Sequence, residues 1–192
     1  MAYLDNAATT PMLPEAVAAM TKLLSEPGNP SSLHASGRKA RRAVEESRER
    51  VARAVGCGSA EVVFTAGGTE ANNIAVKGIA WDQRNKDPRR VRVVAGSTEH
   101  HAVLDPARWL VEHEGAELIE IPVDKSGVIN LTFLKDLIAN RGAEIALIAV
   151  MHSNNETGVI QPVAEVVKIA GDIPVHTDAV QSFTKVPLSY KE

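Results

Sequence analysis

Ile145-Ala-Leu-Ile-Ala-Val-Met151, followed by the polar run His152-Ser-Asn-Asn-Glu-Thr-Gly158, is the stretch that decides the fold. An unbroken apolar run with no alternation fits a strand covered on both faces. Apolar residues at helical spacing come next, Val163, Val166, Val167 and Ala170, and lead into a further β-rich run, Pro174 to Ala179. Strand, crossover helix, strand is the repeating unit of a parallel sheet.

The same alternation extends toward the N-terminus. Leu118 to Val123 reads as a strand, and Asn130 as the cap of a helix bearing Leu131, Leu134, Leu137 and Ile138. Val91 to Ala95 is another strand, before a helix carrying Val103, Ala107, Leu110 and Val111. Glu61 to Thr65 reads as a strand too. The helix after it, from Thr69, places Ala71, Ile74, Ala75, Gly78 and Ile79 on one stripe. Two earlier helices are expected, Pro14 to Leu24 and about Ser36 to Val55, the second stopped by Gly56. Between them Glu26-Pro-Gly-Asn-Pro30 cannot continue a helix. The expected class is α/β, a mainly parallel sheet with helices on both faces.

Composition narrows the function classes. The 192 residues are 44% apolar and 23% charged, with a net charge of -3. That is too apolar for a disordered chain, and the acidic balance argues against a nucleic-acid partner. The one basic cluster, Arg38 to Arg42, runs into Glu45, Glu46 and Glu49, and reads as a solvated helix face with mixed ion pairs. No apolar run approaches the roughly 18 residues of a membrane span. The first residues, MAYLDNAATTP, lack a basic segment before an apolar core, so a cytoplasmic setting is expected. Cys57 is the single cysteine and has no partner within the chain.

Polar clusters fall at the expected carboxyl ends of strands, where open α/β sheets bind ligands. Thr65-Ala-Gly-Gly-Thr-Glu-Ala-Asn72 opens a helix. Its glycines allow close backbone approach, and the helix start offers free N–H groups, so it reads as a phosphate cradle or as an ordinary capped turn. In Thr98-Glu-His-His-Ala102 the adjacent histidines are poorly spaced for a metal, and no metal site is expected. An imidazole there stacks on a ring or moves protons, or else caps a helix. His152 to Gly158 forms a loop whose amides orient a ligand edge or simply build the turn. In His176-Thr-Asp-Ala-Val-Gln181, an Asp at the tip of a buried strand needs a partner. A protonated ring nitrogen, a helix cap or a local salt bridge would serve.

YLDNAATTP, GNPSSLHASGRKAR, VVFTAGGTEANN, TEHHAVLD, MHSNNETGVIQPV and PVHTDAVQSF together resemble the IscS/NifS cysteine desulfurases of the class-V aminotransferase superfamily, in the family's order, from Tyr3 to about Leu188. The resemblance implies the pyridoxal phosphate-dependent fold type I. It implies that Gly68 and Thr69 bind the cofactor phosphate and that His100 stacks on the ring and takes part in catalysis. Asn155 and Gln181 would reach the phenolic oxygen, and Asp178 would pair with the pyridinium nitrogen. L-cysteine would be the substrate. A sulfur acceptor or iron–sulfur scaffold protein would be the partner, and the assembly a dimer. A selenocysteine lyase, another class-V aminotransferase, or a non-catalytic assembly fragment are the alternatives.

The sequence also departs from the family. The Schiff-base lysine lies in a Ser-x-His-Lys segment that is not found before Glu192. Lys185 and Lys191 lack that context, and the sulfur-accepting cysteine loop is missing as well. Cys57 is not its substitute. The expectation is an N-terminal half: residues 1–13 joining a small domain, and 14–192 an incomplete cofactor domain short of its last strands. A complementary C-terminal half would supply the rest, and this chain alone would be inactive.

Overall fold

The structure, a computed structural model, describes residues 2–187 and Tyr190. Leu188 and Lys191, to which the sequence readings extend, lie outside the described residues. Backbone contacts divide the chain into two compact units, residues 2–64 with Tyr190 and residues 65–187.

In the first unit, residues 2–13 form neither helix nor strand. Helix α1 spans Pro14–Leu24, and proline at its first turn costs no hydrogen bond. Helix α2 spans Ala35–Val55. His34 caps its start, with Nδ1 accepting from the Gly37 N–H at 3.3 Å, and Gly56 closes it at φ 75°, a left-handed conformation that glycine adopts freely. The charged face carries the expected pairs, Arg42 with Glu46 at 3.2 Å and Arg48 with Glu45 at 3.3 Å.

The strand expected over Glu61–Thr65 is not formed. Ser59–Glu61 make a single 3₁₀ turn, and Val62 to Phe64 run extended with no ladder partner among the described residues. Arg48 takes the Val62 carbonyl instead and lays its guanidinium 4.9 Å from the centre of the Phe64 ring. A β-branched run becomes a strand only where another edge accepts it.

The second unit holds the sheet. Its elements in order are α3 (Gly68–Lys86), β1 (Arg92–Gly96), α4 (His101–Glu114), β2 (Glu117–Ile121), α5 (Leu131–Arg141), β3 (Ile145–Ala149), α6 (Val163–Ala170) and β4 (Val175–His176). The strand order is β2-β1-β3-β4, and every pairing is parallel. All of β3 is buried, as its unbroken apolar run requires. Alternate residues feed two cores. Val93, Ala95, Leu147 and Ala149 pack with Val76 of α3 and Val103, Ala107 and Leu110 of α4. Val94, Ile148 and Val150 pack with Leu134 of α5 and Val166 of α6. Helices therefore cover both faces. Asn130 caps α5, its Oδ1 accepting from the Phe133 N–H at 3.0 Å.

Two elements differ in detail from the sequence reading. The run Pro174 to Ala179 supplies only a two-residue strand. In α3 the buried positions are Asn72, Val76 and Ala80, whereas Ile74 is half exposed. The helix turns a polar residue inward because partners for it exist there.

The strand order fixes where a ligand would sit. The chain moves outward from β1 to β2, then returns past β1 to β3 and β4. The reversal leaves a crevice between the carboxyl ends of β1 and β3. No helix among the described residues is long and apolar enough to cross a membrane.

Candidate active site

The loop after β1 and the loop after β3 flank that crevice, and Glu99 bridges them. Its Oε1 accepts from the Met151 N–H, at the end of the β3 segment. Gly96 makes room for this, since a Cβ there would lie 3.0 Å from Glu99 Oε1. One residue on, the His152 N–H donates to the Asp178 carbonyl at 2.8 Å. The segment after β4 is thereby tied to the same crevice.

Asp178 finds its partner on α3. Its Oδ2 accepts from the Asn72 amide at 2.8 Å, and its Oδ1 accepts from the Val180 N–H at 3.0 Å. Asn72 is only 4% exposed. With its Nδ2 committed to Asp178, its Oδ1 must accept, and it does so from His176 Nε2 at 2.9 Å. His176 is thus the Nε2–H tautomer. Burial pushes its pKa below the ordinary histidine value, against the pull of the Asp178 charge. The carboxylate is set in place at the strand tip by two donors, and neither of them is a salt-bridge partner.

Gly68, Thr69 and His100 line one open cleft of about 900 Å³, together with Lys77 and Trp109. Gly68 and Thr69 begin α3. The first intrahelical bond runs from the Ala71 N–H to the Gly67 carbonyl, so the N–H groups of residues 68–70 have no acceptor within the helix. The Thr69 hydroxyl stands beside them. A Cβ on Gly67 would enter open space, and one on Gly68 would lie 3.1 Å from Val180 Cγ2. Glycine at 68 lets the helix start close on the turn that follows Asp178.

His100 is the N-cap of α4, with Nδ1 accepting from the Ala102 N–H at 3.1 Å. The capping interpretation of this histidine is correct. It also fixes the ring orientation and leaves Nε2 as the N–H available to a ligand.

The remaining expected residues do not line this cleft. Asn155 lies half-buried in the loop after β3. The residue that organises that loop is its neighbour, Asn154, which is 8% exposed. Asn154 Oδ1 accepts from the N–H groups of Glu156 and Thr157 at 2.9 and 2.8 Å, and its Nδ2 donates to the Thr98 carbonyl at 3.1 Å. Gln181 is half-buried, and its Oε1 accepts from Lys185 Nζ at 3.4 Å.

Sequence reasoning assigned no role to Asn72, Glu99 or Asn154. Each is a polar residue within a segment that the sequence singles out, and only burial separates it from an ordinary surface position.

The arrangement suits a phosphorylated ring that carries a basic nitrogen. The N-terminus of α3, with Gly67, Gly68 and Thr69, accepts an anion. His100 offers a flat ring in the same cleft. Asp178, an acceptor oriented by Asn72, suits a protonated ring nitrogen.

Comparisons with known proteins give the family. The family model "Aminotransferase class-V" matches residues 2–192. An IscS-like cysteine desulfurase of Mycobacterium tuberculosis is 48% identical over 192 residues, which is 99% of this chain and 49% of the relative. A cysteine desulfurase of Homo sapiens is 42% identical over 194 residues, 99% of this chain and 41% of its own length. Among solved structures, a NifS-like protein superposes with a TM-score of 0.91 at 34% identity, covering 99% of this chain and 52% of that one. SspA in complex with cysteine gives 0.89 at 33% identity, over 98% and 53%. The chain spans about half the length of the curated relatives it matches.

Proposed function

The chain belongs to the class-V aminotransferase family, and on that premise we propose that it forms the pyridoxal phosphate-binding half of a cysteine desulfurase. The observation that carries this reading is the pair of links to one helix, α3. Its N-terminus shares a cleft with His100, and its Asn72 holds Asp178.

In this reading the N–H groups at the start of α3 and the Thr69 hydroxyl bind the phosphate. His100 stacks on the ring, and its fixed orientation places Nε2 to pass a proton. Asp178 faces the pyridine nitrogen and keeps a proton on it, while Asn155 and Gln181 attend the phenolic oxygen. The cofactor, when bound, supplies an electron sink for the electron pair released at a substrate carbon.

L-cysteine is the substrate, and its sulfur passes as a persulfide to an acceptor or iron–sulfur scaffold protein. A dimer in the cytoplasm is the working assembly. Residues 1–13 join a small domain. The lysine that would link the cofactor and the cysteine that would take the sulfur come from a complementary segment, and residues 1–192 alone turn over no cysteine. The test is production of alanine from L-cysteine, with pyridoxal phosphate, by residues 1–192 and by the full-length protein. Turnover by residues 1–192 alone would overturn the division of labour. No turnover by the full-length protein would overturn the desulfurase reading.

A further inference from the structure

Glu99 has a position that the roles above do not use. It is 7% exposed. Its Oε1 accepts a single backbone hydrogen bond, from Met151, and its Oε2 is buried with no partner. Among the described residues no cation pairs with it. The charged group that acts on it is the like-charged Asp178. A buried carboxylate with one neutral donor and a negative neighbour is expensive to keep ionised.

We propose that Glu99 is a positioning residue kept as an uncharged carboxylic acid, clamping the turn that carries His100 to the end of β3 and leaving Asp178 as the one negative charge of this wall. Its own proton makes this possible, because the acid form needs no cation while its carbonyl oxygen still accepts from Met151. Burial, and after it the Asp178 charge, push Glu99 up to about 8, against the Met151 hydrogen bond, which favours the ionised form. On the alkaline side Glu99 would carry a second buried negative charge beside Asp178, so the wall keeps its single charge at neutral pH and loses that arrangement above about 8. Its consequence for cofactor binding rests on the reading of His100 and Asp178 above. The proton on Glu99 does not.

The test uses the full-length protein, wild type and Glu99→Gln, with two readouts. The first is spectroscopic. The infrared carbonyl band of a protonated carboxylic acid should be present at neutral pH, vanish with a midpoint near 8, and be missing from Glu99→Gln. In the wild type, the Met151 amide resonance should shift with the same midpoint, which gives the answer even if the variant folds poorly. The second is pyridoxal phosphate affinity. Above the midpoint the wild type should lose up to about tenfold per pH unit relative to Glu99→Gln. A wild type with no such band at neutral pH, or with a Met151 amide that does not titrate, would overturn the proposal. Equal alkaline losses in both proteins would overturn its positioning role. If neither protein binds pyridoxal phosphate, the cofactor reading fails, and the spectroscopic result still decides the state of Glu99.

Discussion

Asn72 and Asp178, 106 residues apart in sequence, are joined by a 2.8 Å hydrogen bond from the amide to the carboxylate. That bond fastens the tip of the last strand to the helix whose N-terminus opens the cleft. It also explains why α3 buries an asparagine among apolar neighbours. A buried amide is tolerated only when both of its ends are used, and His176 uses the other end.

Removing Asn72 should therefore unfasten two partners at once. Asn72→Ala leaves the Asp178 Oδ2 and the His176 Nε2–H without this partner in a largely buried setting. A loss of about 1–3 kcal/mol is expected, measured by urea unfolding at neutral pH. An unchanged midpoint would mean the network contributes nothing to stability.

Asp178→Asn should harm chemistry more than cofactor docking. The amide keeps the shape but loses the charge that would hold a ring nitrogen protonated. The phosphate contacts proposed for Gly68 and Thr69 would be untouched. Cofactor occupancy and turnover should be measured together in the full-length protein. Turnover equal to wild type would remove Asp178 from the mechanism.

Acid should weaken the fold through His176. Its folded pKa is lowered by burial, so the unfolded chain binds the proton more readily. Stability is then complete above about 6.5, the ordinary histidine value, and is lost as pH falls below it toward the depressed folded value. His176→Gln keeps an N–H donor for Asn72 and should flatten this acid limb. A thermal-unfolding series across the range gives the answer, and an identical acid slope in both proteins would contradict the assignment.

The layered fold was legible because its signals are local and apolar. The run Ile145 to Met151 announced a strand covered on both faces, and β3 is entirely buried. The Asn130 cap was readable from one residue type in front of one helical pattern. The strand expected at Glu61–Thr65 was misread because strand formation depends on a neighbouring edge, which a local pattern cannot show. The phase of α3 was misread for a related reason. Apolarity pointed to Ile74, whereas the buried side belongs to Asn72, Val76 and Ala80.

In the site, Gly68, Thr69, His100 and Asp178 were named from the motifs. The residues that hold them in place were not. Asn72, Glu99 and Asn154 act through burial and through partners 106, 52 and 56 residues away. No spacing rule reaches that far.

Cys57 should play no part in sulfur transfer. It follows the glycine that closes α2 and is a free, partly buried thiol. Its sequence neighbours, Gly56 and Gly58, carry no charge to favour the thiolate. Cys57→Ser in the full-length protein should leave persulfide formation essentially intact. A collapse of persulfide yield with normal folding would refute this.

Equilibrium titration of the full-length protein with pyridoxal phosphate decides whether α3 and Asp178 make a site for it. Wild type should bind with a shifted absorption band. Thr69→Ala removes one hydroxyl donor to the phosphate and should weaken binding by about tenfold, the equivalent of a hydrogen bond to a charged group. Asp178→Asn should bind but lose the spectral signature of a protonated ring. Wild-type protein that gives no shifted band, or affinity and spectrum left unchanged by both substitutions, would rule out this site.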